Sequence, residues 1–291
     1  MWERRYGFPS PARSDSGLRA YSEADVERLR LIAKAIGAGY RPREVVAASP
    51  ARLRAIAEEA AAPAVHPART AVPVQGPGGI VARALAALAA SDVATMERLL
   101  RERGAALPAK RFVADVAAPL VRAVGEAWER GELEVRHEHL FSEILTVELH
   151  AMRARCQVAT GAPRALLATL PEELHGLGIE MVALYLAAAG IDVLVLGVNA
   201  PPLEIARAAR SLNADAVGLS ISASSASDGV GHAIDQILPE LPRRVPLWLG
   251  GAGAERLRLT LPGVEAITSW PALDAALARL RLGRAAPAAS R

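Results

Sequence analysis

A chain of 291 residues has room for two compact domains and a third small one. Hydrophobic residues make up 52% of it, led by alanine, and aromatics only 4%, which argues against a β-sandwich and suits close-packed helices with a small-residue α/β sheet. The formal charge of +3 is spread along the chain and selects no partner, while Cys156, the only cysteine, excludes an intrachain disulfide and a cysteine-based metal cluster.

The opening "MWERRYG" is charged and lacks an apolar run, so it does not read as a secretory signal. Residues 1–60 are polar and helical. In "SEADVERLRLIAKAIGAG" Ser22 is the expected N-cap and Asp25 lies in the first turn, with Val26, Leu29, Ile32 and Ile36 as the expected buried stripe. Arg4, Arg5, Arg13 and Arg19 gather near Tyr6, a composition suited either to phosphate contacts on DNA or to an exposed basic flank. Residues 61–79, "AAPAVHPARTAVPVQGPGG", are rich in proline, glycine and alanine without periodicity and read as a linker.

Residues 80–157 read as four helices with short connections, the pattern of a four-helix bundle. The third is expected to run unbroken through "AKRFVADVAAPLVRAVGEAWERG", and the fourth to carry Leu140, Ile144, Val147 and Ala151 along one stripe. Trp128 near the end of the third helix is either a core aromatic or an apolar plate for a flat ligand. Glu138 and His139 are either a solvated helix start or a pair able to hydrogen-bond a sugar or approach a metal.

From Arg164 to the end of the fourth segment, residues 158–285, the pattern switches. The runs "RALLATL", "DVLVLGV", "DAVGLSIS", "VPLWLGG" and "VEAIT" alternate with helical stretches. The longest apolar stretch, residues 181–198, is interrupted by Gly190 and Asp192, so it reads as helix end, turn and strand. Such alternation predicts a doubly wound, five-stranded parallel sheet whose ligand lies beyond the carboxyl ends of the strands. His175 follows the first strand at that rim, and Glu173 is placed to accept a hydrogen bond from its second ring nitrogen. Ser220 and Ser222 end the third strand, either lining a narrow slot or starting a turn. Gly250 and Gly251 end the fourth, allowing close approach of a ligand, tight strand-to-helix packing or phosphate binding.

Glu173-x-His175-x-x-Gly178, then 41 residues to Ser220, then 27 residues between Ser222 and Gly250, resembles the cobalamin-binding domain shared by methionine synthase, several mutases and a group of transcriptional regulators. This chain has Glu173 where the family more often has aspartate, and Ser222 where it has leucine. The resemblance implies a flavodoxin-like strand order, His175 as the lower ligand of cobalt, and the cofactor's nucleotide tail beside Ser220 and Gly250.

Trp128, followed after nine intervening residues by Glu138 and His139, resembles light-responsive cobalamin regulators of the CarH group. This implies adenosylcobalamin as cofactor, Trp128 against its adenosyl group with Glu138 and His139 beside it, and a homo-oligomer, dimer or tetramer, that changes on illumination. Glu129 stands where that group often has a histidine, leaving His137 and His139 as candidate cobalt partners after photolysis.

The string "WERRYGFPSPARSDSGLRAYSEADVERLRLI" resembles a MerR-type winged helix-turn-helix, with Arg19 and Tyr21 leading into the next helix. The quoted sequence begins after that domain's first helix, so the expectation is a partial DNA-binding domain with weak specific binding. Together these features predict a cytoplasmic, cobalamin-binding transcriptional regulator without turnover chemistry. Two alternatives stand beside it: a cobalamin or chromophore sensor acting on a protein partner, and the corrinoid carrier of a methyltransferase.

Overall fold

The computed structural model describes residues 8–9, 12–13, 19–37, 42–59, 79–222, 227–257 and 261–285. It divides into two compact units, one of residues 1–96 with 122–141, the other of residues 97–121 with 142–291. Among the described residues no helix is long and apolar enough to cross a membrane.

In the first unit a two-residue antiparallel ladder, β1 (Ala12–Arg13) with β2 (Arg19–Ala20), precedes α1 (Glu23–Gly37). Ser22 caps α1: its Oγ accepts from the Asp25 amide at 3.1 Å, and the Asp25 carboxylate accepts from the Ser22 hydroxyl at 2.6 Å. The buried face of α1 keeps Ile32 and a half-buried Leu29 from the expected stripe and departs from it elsewhere. Leu31, Ile32 and Ala35 pack with Phe8 and with residues of α2 (Pro42–Ala47) and α3 (Pro50–Glu59), whereas Val26 is exposed. The Ile36 side chain lies outside the described residues. Alanine at 35 buries more completely than valine at 26 because position on the helix outranks side-chain size.

The helical segments expected between 80 and 157 are present: α4 (Ile80–Ala89), α5 (Val93–Ala106), a long third helix, and α8 (Val135–Arg153). The third is not unbroken α-helix. It begins as α6 (Ala109–Phe112), passes through a π-helical turn (Val113–Ala117) and continues as α7 (Ala118–Arg130). The wider turn admits one extra residue while Phe112, Val113, Val116 and Ala117 all stay buried. On α8 the buried line is Phe141, Leu145, Leu149 and Met152. The expected line is therefore offset: Leu140 and Ile144 are half-buried, Val147 is exposed, and Ala151 faces solvent. Two neighbouring apolar lines run along this helix, and spacing alone does not choose between them.

The sheet of the second unit consists of β3 (Arg164–Thr169), β4 (Asp192–Gly197), β5 (Ala216–Ser220), β6 (Leu247–Gly250) and β7 (Val264–Ile267). All pairings are parallel, and the order is β4-β3-β5-β6-β7, the flavodoxin-like order. On one face Leu166, Val217, Leu219, Leu247 and Leu249 form the core with α10 (Pro202–Ser211) and α11 (Ser227–Ile237). α9 (Leu177–Ala188) packs on β3 and β4, and α12 (Trp270–Ala285) on β7. Arg164 pins the amino ends of three strands together: its guanidinium donates to Asp192 of β4 at 2.7 Å and to the Leu212 carbonyl, and its amide donates to Asp215 before β5. This clamp sets the strand register from which the loops at the opposite rim project.

Candidate functional site

β3 ends at Thr169, and the next five residues build a holder for one imidazole. The Thr169 hydroxyl donates to the Glu173 carbonyl at 2.7 Å and accepts from the Asn199 amide at 2.9 Å. Asn199 also donates its amide to the Glu173 carbonyl, and its side-chain oxygen accepts from the Glu172 amide at 2.9 Å. Glu172 and Asn199 both sit at positive φ, +67° and +56°. The loop after β3 is thus tied to the loop after β4 by backbone and side-chain bonds together.

Glu173 points inward and is 3% exposed. Its Oε1 accepts from the His175 amide at 3.0 Å and from His175 Nδ1 at 2.5 Å, while Oε2 accepts from the Ser222 amide at 3.0 Å. Three N–H donors around one carboxylate compensate the burial of its charge. A carboxylate can only accept, so Nδ1 carries a proton. The His175 side chain is 68% exposed, so the ring is accessible and yet held in one orientation. Such a ring is a pre-oriented ligand for a metal centre brought by a cofactor.

The other expected rim residues gather on the same side of the sheet. Ser220 is the last residue of β5 and pairs in register with Thr169 and Gly250. Gly178, in the first turn of α9, lies so close to Ser220 that a Cβ there would stand 2.6 Å from its Oγ. Gly251 has φ +91°, and a Cβ on it would meet the Ile221 carbonyl oxygen at 2.5 Å. At Gly250 the nearest contact for a Cβ is an ordinary 3.5 Å. The backbone requires glycine at 251, the Ser220 hydroxyl crowds position 178, and neither constraint acts at 250. Sequence reasoning missed Thr169 and Asn199. A threonine closing an otherwise aliphatic strand was the available signal.

In the first unit, α7 ends with the Glu132 amide on the Ala127 carbonyl and Gly131 at φ +85°, a Schellman stop that fixes the last turn carrying Trp128. Trp128 is half-buried, and Glu129 is exposed. His139 is exposed, with its Nδ1 2.7 Å from the Glu138 carboxylate. His137 is only 5% exposed, its Nδ1 accepts from the Glu134 amide at 3.1 Å, and its Nε2 lies 3.5 Å from Ser91 Oγ. Burial, reinforced by Arg136, lowers its pKa below the ordinary 6.5. His137 caps the start of α8 and turns both ring nitrogens to partners within the first unit. Arg13 and Arg19 face each other in the β1–β2 ladder, with side chains outside the described residues, and Tyr21 is exposed. Arg4, Arg5 and Tyr6 lie outside the described residues.

Three family models match parts of the chain. Residues 163–268 match the model of a B12 binding domain, residues 80–150 a second B12 binding domain model, and residues 1–50 that of a MerR HTH family regulatory protein. The HTH-type transcriptional repressor CarH of Myxococcus xanthus is 34% identical over 255 residues, covering 87% of this chain and 83% of that one. The HTH-type transcriptional repressor CarA of the same organism is 26% identical, covering 87% and 81%. Among solved structures, the monomethylamine corrinoid protein of Methanosarcina barkeri shares the fold at a TM-score of 0.50 and 21% identity, covering 70% of this chain and 98% of that one. The two likenesses that cover 87% of this chain are to repressors, which disfavours the corrinoid-carrier alternative. The chain belongs to the CarH family of MerR-type, cobalamin-binding transcriptional regulators.

Proposed function

We propose that this regulator uses adenosylcobalamin as its cofactor and that visible light is its signal, acting in the cytoplasm through a change of oligomeric state. The observation that carries the cofactor reading is the buried Glu173 carboxylate, which engages Nδ1 and orients the exposed His175 ring. His175 is assigned as the lower cobalt ligand, Gly250 and Gly251 as the backbone floor, and Ser220 and Ser222 as the lining of the nucleotide tail. Trp128, Glu138 and His139 are assigned to the upper-ligand end on their spacing alone. Bound there, adenosylcobalamin supplies a cobalt–carbon bond that visible light cleaves.

The chain's own part is to hold the lower imidazole in one protonation state and to couple the rim loops to one another. Glu173 does both, since one carboxylate bridges the loop after β3 and the loop after β5. Arg4, Arg5, Arg13 and Arg19 are assigned to DNA phosphates, with Tyr6 and Tyr21 beside them. The segments 1–60, 61–79, 80–157 and 158–285 are proposed as DNA-binding piece, linker, helical cap and cofactor domain.

The test is retention of colour. Protein mixed with adenosylcobalamin in the dark is expected to carry the cofactor's visible spectrum through size exclusion, and His175→Ala to lose most of it. Equal retention and an unchanged spectrum in His175→Ala would overturn the assignment.

A further inference from the structure

The loop that follows β3 gives the core little. Pro171, Glu172, Leu174 and His175 are exposed, and of residues 171–175 only Glu173 is buried. Side-chain packing alone would leave such a loop mobile. Its backbone is instead bonded at almost every step. The Glu172 amide donates to Asn199 Oδ1 at 2.9 Å, the Glu173 amide to the Leu170 carbonyl at 3.1 Å, and the His175 amide to Glu173 Oε1 at 3.0 Å. The Glu173 carbonyl accepts twice, from the Thr169 hydroxyl at 2.7 Å and the Asn199 amide at 3.2 Å.

Two residues outside the loop supply the splint. Thr169 is fully buried at the end of a strand whose other buried positions are aliphatic, where valine would fill the same volume without a polar atom. Its hydroxyl is present for the bonds it makes, one donated to Glu173 and one accepted from Asn199. Asn199 adopts φ +56°, a conformation that asparagine tolerates better than most residues with a side chain. Glu172, at φ +67°, lacks that tolerance, and a backbone of this kind persists only where its surroundings over-determine it. The bond from the Glu172 amide to the Asn199 side chain is what holds it. A loop so poor in core contacts and so rich in bonds is built to present what it carries.

We infer that Thr169 and Asn199 are positioning residues for the cobalt ligand: through the backbone and carboxylate of Glu173 they hold the His175 ring ready to meet a corrin. Both act at one remove from the ring. They leave it little freedom to lose on binding, and the saving appears as affinity. The inference rests on the proposed assignment of His175 to cobalt, and half of its test is made on the chain without cofactor.

Amide hydrogen exchange in the cofactor-free full chain is the first readout. Thr169→Val keeps the shape and removes the hydroxyl. In it the Glu172 and His175 amides are expected to exchange about fivefold faster relative to the Val217 amide, which donates to the Pro246 carbonyl in the sheet core; Thr169→Ser is expected to restore them. Equilibrium dialysis against adenosylcobalamin in the dark is the second. Thr169→Val, and Asn199→Gly, which keeps the left-handed φ accessible, are each expected to raise Kd by about fivefold, with Thr169→Ser close to the parent. A hydroxyl that served stability alone would lower the thermal midpoint and leave the Kd of the folded chain where it was. Loop amides that change only in step with Val217, or a Kd unmoved by Thr169→Val while His175→Ala raises it, overturn the inference. A Kd that His175→Ala itself leaves unmoved overturns the cobalt assignment beneath it, and the inference with it.

Discussion

Gly250 and Gly251 are neighbours with opposite requirements. Gly251 is demanded by the chain itself, through its positive φ and the Ile221 carbonyl pressed against it. Gly251→Ala is expected to cost about 2 kcal/mol or more of stability, seen as a lower thermal midpoint without any cofactor. Gly250→Ala is expected to leave that midpoint within a degree or two and to weaken cobalamin retention; the reverse pattern would contradict the assignment of Gly250 to the ligand. His137 makes a second residue-scale prediction. Its folded pKa lies below 6.5, so the stability it contributes is complete above 6.5 and is lost as pH falls through the lowered value. Protonation removes the acceptor for the Glu134 amide, a loss of about 1 kcal/mol, the worth of a helix cap. Urea midpoints from pH 7.5 to 5 are expected to fall in the parent chain and to flatten in His137→Gln.

α9 and α12 meet through a small polar and aromatic cluster. Tyr185 stacks on Trp270 with ring centroids 4.7 Å apart and donates its hydroxyl to Asp274 at 2.9 Å. Lys110, from α6, donates to the same carboxylate at 2.6 Å and lies over the Tyr185 ring. Burial first, and the Asp274 bond second, push the Tyr185 hydroxyl up to about 12, while the Lys110 bond holds Asp274 below its usual range. A raised folded pKa stabilises fully below the ordinary value of 10 and is lost as pH climbs toward 12. Circular dichroism between pH 9 and 12 is expected to show alkaline unfolding that begins later in Tyr185→Phe; coincident curves would remove this account. None of the cluster was legible in sequence, because its members lie 75 or more residues from Lys110 and no periodicity links them. The five strands were legible, since each is a short aliphatic run between turn residues, and so were the rim residues, since parallel strands deliver their carboxyl ends to one edge. What stayed hidden was orientation within a helix. On α1 and α8 two apolar lines lie side by side, and only the packed partner decides which is buried.

For the whole molecule, the expected switch is a change in assembly. Size-exclusion profiles of the cofactor-loaded chain before and after illumination are expected to differ; identical profiles would remove light as the signal while leaving cobalamin binding intact. Binding to promoter DNA in the dark is expected to weaken with rising salt, as neutralisation of phosphates by arginines requires. Assembly must also avoid the wrong contacts, and the break in register between Leu167 and Ala168, opposite Gly197, bears on that. β4 is an outer strand of the sheet, and a straight outer strand would present a row of amide groups to any passing copy of the chain. With Gly197 turned to φ +104°, the ladder loses its regular spacing at the tip of β4. The tip of β4 therefore makes a poor template for strand addition, and the proposed change of assembly would gain from an edge that does not zip.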